Sequence, residues 1–242
     1  MLEFITPNWP APPQVRAYTT TRKGGCSQPP YGSFNLATHV GDNIENVTKN
    51  RVALQKALTI PSKPIWLEQT HSTKTITATS NNINCQADAS YTDKIEQVCV
   101  ILTADCMPIL ICNQAGTEVA AVHAGWRGLA DGILEKTLQH FSSEVFVWLG
   151  PTIGMQAFEV GEEVYTAFTD FLPQANESFV STDADHWLAN LYLLARQRLI
   201  NQGVTKIFGG KFCTYSESEL FYSYRRDKIT GRMASLIWLE NF

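Results

Sequence analysis

Short apolar runs, rich in β-branched residues and separated by glycine, proline and polar turns, recur along the whole chain. Residues 98–102, 109–112 and 145–149 are three examples, and runs of this length and composition are typical of buried β-strands. Stretches with apolar residues at helical spacing lie among them, for example residues 43–58 and 187–201. This alternation predicts a domain of mixed α and β structure.

The same patterns place the other predicted elements. Further strands are expected at residues 15–20, 65–70, 118–123, 207–208 and 235–239, and further helices at residues 133–141 and 162–171. The 242 residues show neither an internal repeat nor a low-complexity linker, although a chain of this length can hold one or two domains. We therefore predict a single domain that covers residues 1–242.

Charge and cysteine usage narrow the classes of function. The net charge is −4 and the pI about 5.7, so there is no basic footprint and nucleic acid is not an expected partner. We see neither a secretory signal nor a run of about 18 apolar residues, so no membrane partner is expected. The six cysteines lack the dense spacing of a disulfide scaffold, which favours reduced thiols and a cytoplasmic location. Because no exposed apolar stripe stands out, we also predict a monomer.

Three side chains that can bind a metal come at the ends of predicted strands. His71 and Cys106 come after the runs at residues 65–70 and 98–103, and His123 closes the next run. Residues at one edge of a sheet can converge although they are far apart in sequence. Two imidazoles and one thiolate suit zinc or copper, and three protein ligands leave a fourth position open, as in catalytic zinc sites. The three residues are a candidate catalytic metal site.

The same residues allow a metal-free alternative. Cys106 could act as a nucleophile with His71 or His123 as its base. Asp105 and Glu68, which lie close to them in sequence, are candidate acid–base residues or carboxylates that orient a ligand. Residue types alone leave both chemistries open, beside an inert buried thiol and ordinary surface carboxylates.

Arginines and one tryptophan supply candidate substrate contacts. Arg127 lies in a Gly-Trp-Arg-Gly turn between a predicted strand and a predicted helix, where backbone N–H groups favour an anion. Trp126 beside it could stack on an aromatic ligand. One of the adjacent Arg225 and Arg226 could clamp a phosphate or a carboxylate.

A long loop region near the start of the chain adds two more candidates. Arg22 and Asn35 stand in a stretch rich in glycine, proline and polar residues, and loops of this length in a compact domain are often functional. Three other tryptophans, Trp66, Trp148 and Trp238, lie in predicted strands and are expected in the core.

Four motifs resemble one family strongly. They are WLEQTH at residues 66–71, ADASY at 87–91, LTADCMP at 102–108 and VHAGWRG at 122–128. Further matches include GPTIG at 150–154, CTY at 213–215 and SYRRD at 223–227. Together they resemble the YfiH-like family, which carries the labels laccase domain, polyphenol oxidase and purine nucleoside phosphorylase with adenosine deaminase activity. The matches run from about residue 19 to the C-terminus, so they cover essentially the whole chain.

The resemblance implies a fold, a metal and a set of activities. The implied fold is a single α+β domain with a mixed, β-sandwich-like core flanked by helices. The zinc ligands of the family map onto His71, Cys106 and His123. The implied activities are phosphorolysis of adenosine, inosine and methylthioadenosine, and hydrolytic deamination of adenosine. Some members are also implicated in editing peptidoglycan precursors, and the role of Cys213 in its motif stays open.

The oxidase label can be tested by counting histidines. A multicopper oxidase needs a trinuclear centre built from many histidines, largely in His-x-His pairs. This chain has five histidines, and no two of them are separated by one residue, so a trinuclear centre within one chain is excluded. A single copper held by the same three residues is not excluded, but Met107, the only nearby axial candidate, follows Cys106 directly and is awkwardly placed. Zinc is therefore the predicted metal, with copper as the alternative.

Three functional hypotheses follow. The first is a zinc-dependent purine nucleoside enzyme in which Asp105 shuttles a proton. In it Arg127 and one of the Arg225–Arg226 pair hold phosphate, and Asn35 or Arg22 contacts the ribose or the base. The second is a metal-free cysteine hydrolase that acts on an amide, and the third a copper-dependent polyphenol oxidase. Residues alone do not rank phosphorolysis against deamination.

Overall fold

The structure is a computed structural model and describes residues 1–241. These residues form thirteen β-strands, six α-helices and three short 3₁₀ helices. The strands are β1 Phe4–Ile5, β2 Val15–Thr20, β3 Thr75–Thr77, β4 Ala89–Thr92, β5 Cys99–Thr103, β6 Met107–Asn113, β7 Val119–Ala124, β8 Val145–Leu149, β9 Glu159–Gly161, β10 Phe179–Ser181, β11 His186–Ala189, β12 Ile207–Gly209 and β13 Met233–Leu239. The α-helices are α1 Ile44–Ala57, α2 Trp126–Ala130, α3 Ile133–Leu138, α4 Glu162–Thr169, α5 Leu191–Asn201 and α6 Tyr224–Asp227, and the 3₁₀ helices are Ser80–Asn82, Met155–Ala157 and Pro173–Ser178.

Two stacked sheets form the centre of the domain. The smaller sheet has the strand order β1-β2-β13-β5, and the larger has the order β12-β8-β6-β7-β4-β3. Side chains of β2, β5 and β13 pack against those of β6, β7 and β8 in one apolar cluster, which includes Ile101, Ile237, Leu110 and Trp148. The observed architecture is the α+β domain with a sandwich-like core that the motifs predicted.

Helices cover the outer faces of both sheets. Leu54 of α1 packs on the smaller sheet in a cluster with Val100 and Leu236. Helices α2 to α5 and a third sheet, β10-β11-β9, cover the larger sheet in a cluster that contains Ile109 and Val122. Strands β6 and β7 are thus covered on both faces and buried along their whole length, which explains their continuous apolar sequences.

Most predicted elements are confirmed, and the helix predicted at residues 187–201 is partly wrong. Its first residues form β11, which pairs with β9 and β10, and α5 begins only at Leu191. The reason is local, because the Asn190 side chain accepts a hydrogen bond from the Leu193 N–H and so caps the helix there. No helix among residues 1–241 is long and apolar enough to cross a bilayer.

The tryptophan predictions are confirmed for two residues out of three. Trp148 and Trp238 are fully buried in the core. Trp66 is only partly buried, and the Arg51 guanidinium lies 3.8 Å from the centre of its ring. It therefore packs at the edge of the apolar cluster beneath α1.

Candidate metal centre and active site

The three candidate ligands meet in space. Cys106 lies in the tight turn between β5 and β6, and His123 is the penultimate residue of β7. The strand predicted at residues 65–70 is absent, because this segment makes only isolated bridges, so His71 comes from a loop instead. The ligand atoms of the three residues lie within 4.8 Å of one another, and theirs is the only such group found in residues 1–241.

The spacing of the donors fits a tetrahedral zinc ion. The Cys106 Sγ lies 3.6 Å from the His71 Nε2. A sulfur and a nitrogen bound to one zinc at about 2.3 and 2.0–2.1 Å are about 3.5 Å apart at the tetrahedral angle. Met107 is wholly buried in the apolar cluster beneath the helices and does not line the cavity, so it is not placed to be the axial ligand of a blue-copper site.

Asp88 forms hydrogen bonds with two of the candidate ligands, His71 and His123. This fully buried residue precedes β4, and its Oδ1 accepts hydrogen bonds from the His123 Nδ1–H at 2.8 Å and from the His71 N–H at 3.0 Å. Its Oδ2 accepts from the N–H groups of Thr70 and Ser72 and from the Ser72 hydroxyl. A carboxylate behind a histidine fixes the tautomer that leaves Nε2 free for a metal.

Electrostatics couple the protonation states of Cys106 and His123. Burial raises the pKa of the Cys106 thiol, but the charge of His123 and hydrogen bonds from His123 and His71 lower it to about 6. Burial lowers the pKa of His123, whereas the Cys106 charge and the Asp88 hydrogen bond raise it to about 9. When no metal is bound, these shifts favour a thiolate at Cys106 beside a protonated His123. The thiolate is the form of Cys106 that binds a metal, whereas His123 must release a proton to do so.

Gly125 makes the close approach of the ligands feasible. A β-carbon at this position would lie 2.8 Å from the His71 Cδ2 and 3.0 Å from the Cys106 Sγ. Both distances are shorter than normal van der Waals contact, so any side chain here would push the two ligands apart. This steric requirement explains the glycine in the His-Ala-Gly-Trp-Arg-Gly motif.

A cavity of about 500 Å³ opens in front of the candidate metal centre. This volume is ordinary for a small-molecule site. Its lining residues are His39, Gln69, His71, Leu102, Thr103, Ala104, Asp105, Cys106, His123, Trp126, Arg127, Ile153, Phe158, Tyr224, Arg225, Lys228 and Arg232.

The lining combines cations with aromatic rings. Arg127, Arg225, Lys228 and Arg232 are the cations, and within residues 1–241 none of them forms an ion pair. The Arg127 guanidinium stacks 4.3 Å from the centre of the Trp126 ring. Unpaired cations beside aromatic faces suit a ligand with a phosphate and an aromatic group.

Two of the predicted substrate-binding arginines, Arg127 and Arg225, line the cavity, and Arg226 does not. The Arg226 guanidinium donates to the carbonyls of Thr214, Tyr215 and Phe221 and pairs with Asp227. These contacts hold it within the protein. Arg226 therefore fastens α6 to the neighbouring loop in this structure.

Arg22 and Asn35 also lie outside the cavity lining. The Arg22 guanidinium donates to the carbonyls of Gly32 and Ser218 and stacks over the Tyr222 ring. Asn35 is fully buried, and all four of its side-chain hydrogen bonds are internal: it donates to the Ala37 carbonyl and Asp42 carboxylate and accepts from the N–H groups of Ala37 and Arg232. Glu68 is exposed and likewise outside the lining.

Sequence reasoning missed several residues of the site. Asp88 gave no spacing signal, although it stands in a matched motif, ADASY. His39 and Arg232 are isolated in sequence, and they reach the cavity only because Asn35 ties their two segments together through the Ala37 and Arg232 N–H groups.

Comparisons with known proteins agree with the motifs. The sequence profile of the family described as multi-copper polyphenol oxidoreductase laccase matches residues 16–240. A Shigella flexneri protein named purine nucleoside phosphorylase YfiH is 53% identical, over 99% of this chain and 100% of its own. The protein of that name from Escherichia coli K12 is 52% identical over the same shares.

A solved structure agrees as well. The crystal structure of a Neisseria meningitidis protein superposes with a TM-score of 0.95 at 46% identity, covering 98% of this chain and 99% of that one. The likeness therefore extends over nearly the whole chain. From its motifs, its profile and its fold, this chain belongs to the YfiH or laccase-domain family, described as multi-copper polyphenol oxidoreductase laccase.

Proposed function

We propose that this protein is a zinc-dependent purine nucleoside phosphorylase that also deaminates adenosine. The observation that carries the proposal is the group His71, Cys106 and His123 at the wall of a cavity lined with cations and aromatic rings. The names of relatives that match the whole chain support the substrate class. Adenosine, inosine and methylthioadenosine are the proposed substrates.

The cavity can hold both reactants of a phosphorolysis. Trp126, Phe158 and Tyr224 offer ring faces for the purine. Arg127 and Arg225 offer guanidinium groups for phosphate. The Arg225 Nη1 donates to the Ala157 and Glu159 carbonyls, so its Nε and Nη2 are the groups offered to the ligand. A phosphate oxygen then attacks the anomeric carbon, and the bond from that carbon to the purine nitrogen breaks. The departing purine takes up the proton that hydrogen phosphate gives up as it becomes the sugar phosphate.

His71, Cys106 and His123 would hold the metal, and Asp88 fixes the orientation of the His123 ring. When bound, zinc supplies Lewis-acid chemistry, which can acidify water for the hydrolytic deamination of adenosine. The protein's own contribution is to align the reactants and to place positive charge against the phosphate.

Product analysis tests the proposal. Purified protein with one zinc per chain is incubated with inosine or adenosine, with and without phosphate, and the products are separated by chromatography. We expect hypoxanthine and ribose 1-phosphate from inosine only when phosphate is present, and adenine together with inosine from adenosine. Cys106→Ala should abolish both. If no product forms, or if Cys106→Ala behaves as wild type, the proposal is wrong.

One observation favours a second candidate, a metal-free cysteine hydrolase that acts on an amide. Asp88, His123 and Cys106 are connected in series, with the Asp88 Oδ1 2.8 Å from the His123 Nδ1. Cysteine hydrolases use such a series to activate the thiolate. Metal analysis separates the candidates, because the hydrolase would keep its activity after zinc removal and lose it on alkylation, whereas the phosphorylase would lose its activity with the metal.

A further inference from the structure

Asp105 in the cavity wall makes hydrogen bonds to several segments of the chain. Its Oδ1 accepts a hydrogen bond from the Thr214 hydroxyl at 2.6 Å, and its Oδ2 accepts one from the Arg225 N–H at 2.6 Å. Its backbone carbonyl accepts from the Ile153 N–H and the Thr152 hydroxyl. One residue thus joins the turn that carries Cys106 to three other segments of the chain.

Two of these segments contribute residues to the lining of the cavity. Helix α6 carries Tyr224 and Arg225, and Lys228 follows it directly; all three line the cavity. The loop at residues 150–154 contributes Ile153. Because α6 has only four residues, its position depends on contacts with its neighbours.

The hydrogen bonds of Asp105 suit a fixed anchor. Both carboxylate oxygens already accept hydrogen bonds from the protein, and one donor is a backbone N–H, which cannot take a proton in return. Short hydrogen bonds to a charged acceptor are among the stronger ones in proteins. The backbone of Asp105 has φ 85°, a left-handed conformation that aspartate, asparagine and glycine adopt more readily than other residues.

We propose that Asp105 is a positioning residue that fixes α6, and with it Arg225, relative to Cys106, rather than the proton shuttle that sequence alone suggested. The proposal rests on the proposed function for the role of Arg225 in holding phosphate. Its structural part, the anchoring of α6, stands independently of any substrate.

Two substitutions separate an anchor from a shuttle. In Asp105→Asn, the amide oxygen can accept from the Arg225 N–H and the amide NH₂ can donate to the Thr214 hydroxyl, but no proton can be carried. Asp105→Gly removes both hydrogen bonds while tolerating the positive φ. If Asp105 is an anchor, D105G should raise the KM for phosphate by about tenfold, and the KM of D105N should lie close to the wild-type value. A shuttle predicts that both variants lose about 10²-fold or more in kcat at an unchanged KM.

Limited proteolysis tests the anchoring of α6 in the absence of substrate. Arg225, Arg226 and Lys228 are cleavage sites for trypsin within and next to α6. Loss of both Asp105 hydrogen bonds should raise the cleavage rate at these sites by about tenfold, since a local opening that is easier by about 1.4 kcal/mol is tenfold more populated. Mass spectrometry assigns the cuts. Asp93→Ala, an exposed carboxylate removed elsewhere, is the matched control and should be cut at the wild-type rate.

Each outcome decides the question. Faster cleavage at α6 in D105G, protection restored in D105N and a smaller effect in Thr214→Val support the anchor. Cleavage of D105G at the wild-type rate overturns it, and so does a D105N enzyme with wild-type KM and the low kcat of D105G. If D105G does not fold, Thr214→Val and D105N carry the comparison. If wild type shows no phosphorolysis, the proposed function fails, and the trypsin rates alone decide the role of Asp105.

Discussion

The replacement Asp88→Asn should damage metal binding and stability together. The Asp88 carboxylate accepts five hydrogen bonds, from the N–H groups of Thr70, His71 and Ser72, the Ser72 hydroxyl and the His123 Nδ1–H. An asparagine can replace only one of the two oxygens with an NH₂ group. Replacing Oδ1 takes the acceptor from two donors, and replacing Oδ2 takes it from three.

The magnitude follows from which donors are lost. With the NH₂ group toward Ser72, the Ser72 hydroxyl can turn to accept, but the backbone N–H groups of Thr70 and Ser72 lose a charged acceptor. Each such loss costs about 1.5–3 kcal/mol. With the NH₂ group toward His123, the imidazole must accept at Nδ1, so its proton moves to Nε2 and that nitrogen can no longer bind a metal. We expect the free energy of unfolding to fall by about 3 kcal/mol and zinc affinity to fall by about 10–100-fold.

Urea denaturation and a chelator competition assay measure the two effects. The matched control is Ser72→Ala, which removes one hydroxyl donor at 2.7 Å and leaves the carboxylate intact; it should cost about 1 kcal/mol and leave zinc affinity nearly unchanged. A D88N protein with wild-type zinc affinity would refute the idea that Asp88 orients His123.

Acid titration gives a second view of the same residue. Burial by itself would raise the pKa of Asp88. Hydrogen bonds from His123 and Ser72 outweigh this effect and lower the pKa to about 2. Because the folded-state pKa is depressed, this contribution to stability is complete above the ordinary carboxyl pKa and is lost as the pH falls through about 2. Stability measured from pH 5 to pH 2 should therefore fall by about 2 kcal/mol more in wild type than in D88N.

Three further predictions concern other residues of the site. Gly125→Ala should reduce bound zinc by at least about tenfold in elemental analysis, since its β-carbon would lie 2.8 Å from the His71 ring; full zinc occupancy would contradict this. Arg127→Gln should raise the KM for phosphate by about tenfold and leave zinc content unchanged, and an unchanged KM would remove Arg127 from the phosphate site. In metal-free protein, iodoacetamide should label Cys106 with a midpoint near pH 6, because its thiolate is lost only below that pH. Cys99, whose burial raises its pKa to about 12, should stay unlabelled, and zinc should protect Cys106.

The fold was predictable wherever local patterns decide the structure. Strands β6 and β7 are continuous apolar runs because they are covered on both faces. The failures lie where tertiary contacts override the pattern. Residues 65–70 have the composition of a strand. The Asp88 carboxylate nevertheless accepts hydrogen bonds from the N–H groups of Thr70 and His71, and the segment ends in a loop.

The three candidate metal ligands could be predicted from the sequence, whereas most of the cavity wall could not. His71, Cys106 and His123 carry chemistry that few side chains share, and each stands in a specific motif. The role of an arginine cannot be predicted from sequence, because a guanidinium can bind a substrate anion or main-chain carbonyls of its own chain equally well. The contacts of Arg22 with main-chain carbonyls and the place of Arg232 in the cavity become apparent only in three dimensions.

The central claim is that one zinc ion, held by His71, Cys106 and His123, supports phosphorolysis of purine nucleosides. The most direct measurement is a titration of metal-free protein with zinc while ribose 1-phosphate release from inosine is followed. We expect activity to rise linearly and to stop rising at one zinc per chain, and we expect Cys106→Ala to gain none. Full activity without metal, or activity that appears only with copper and a phenolic substrate, would contradict it.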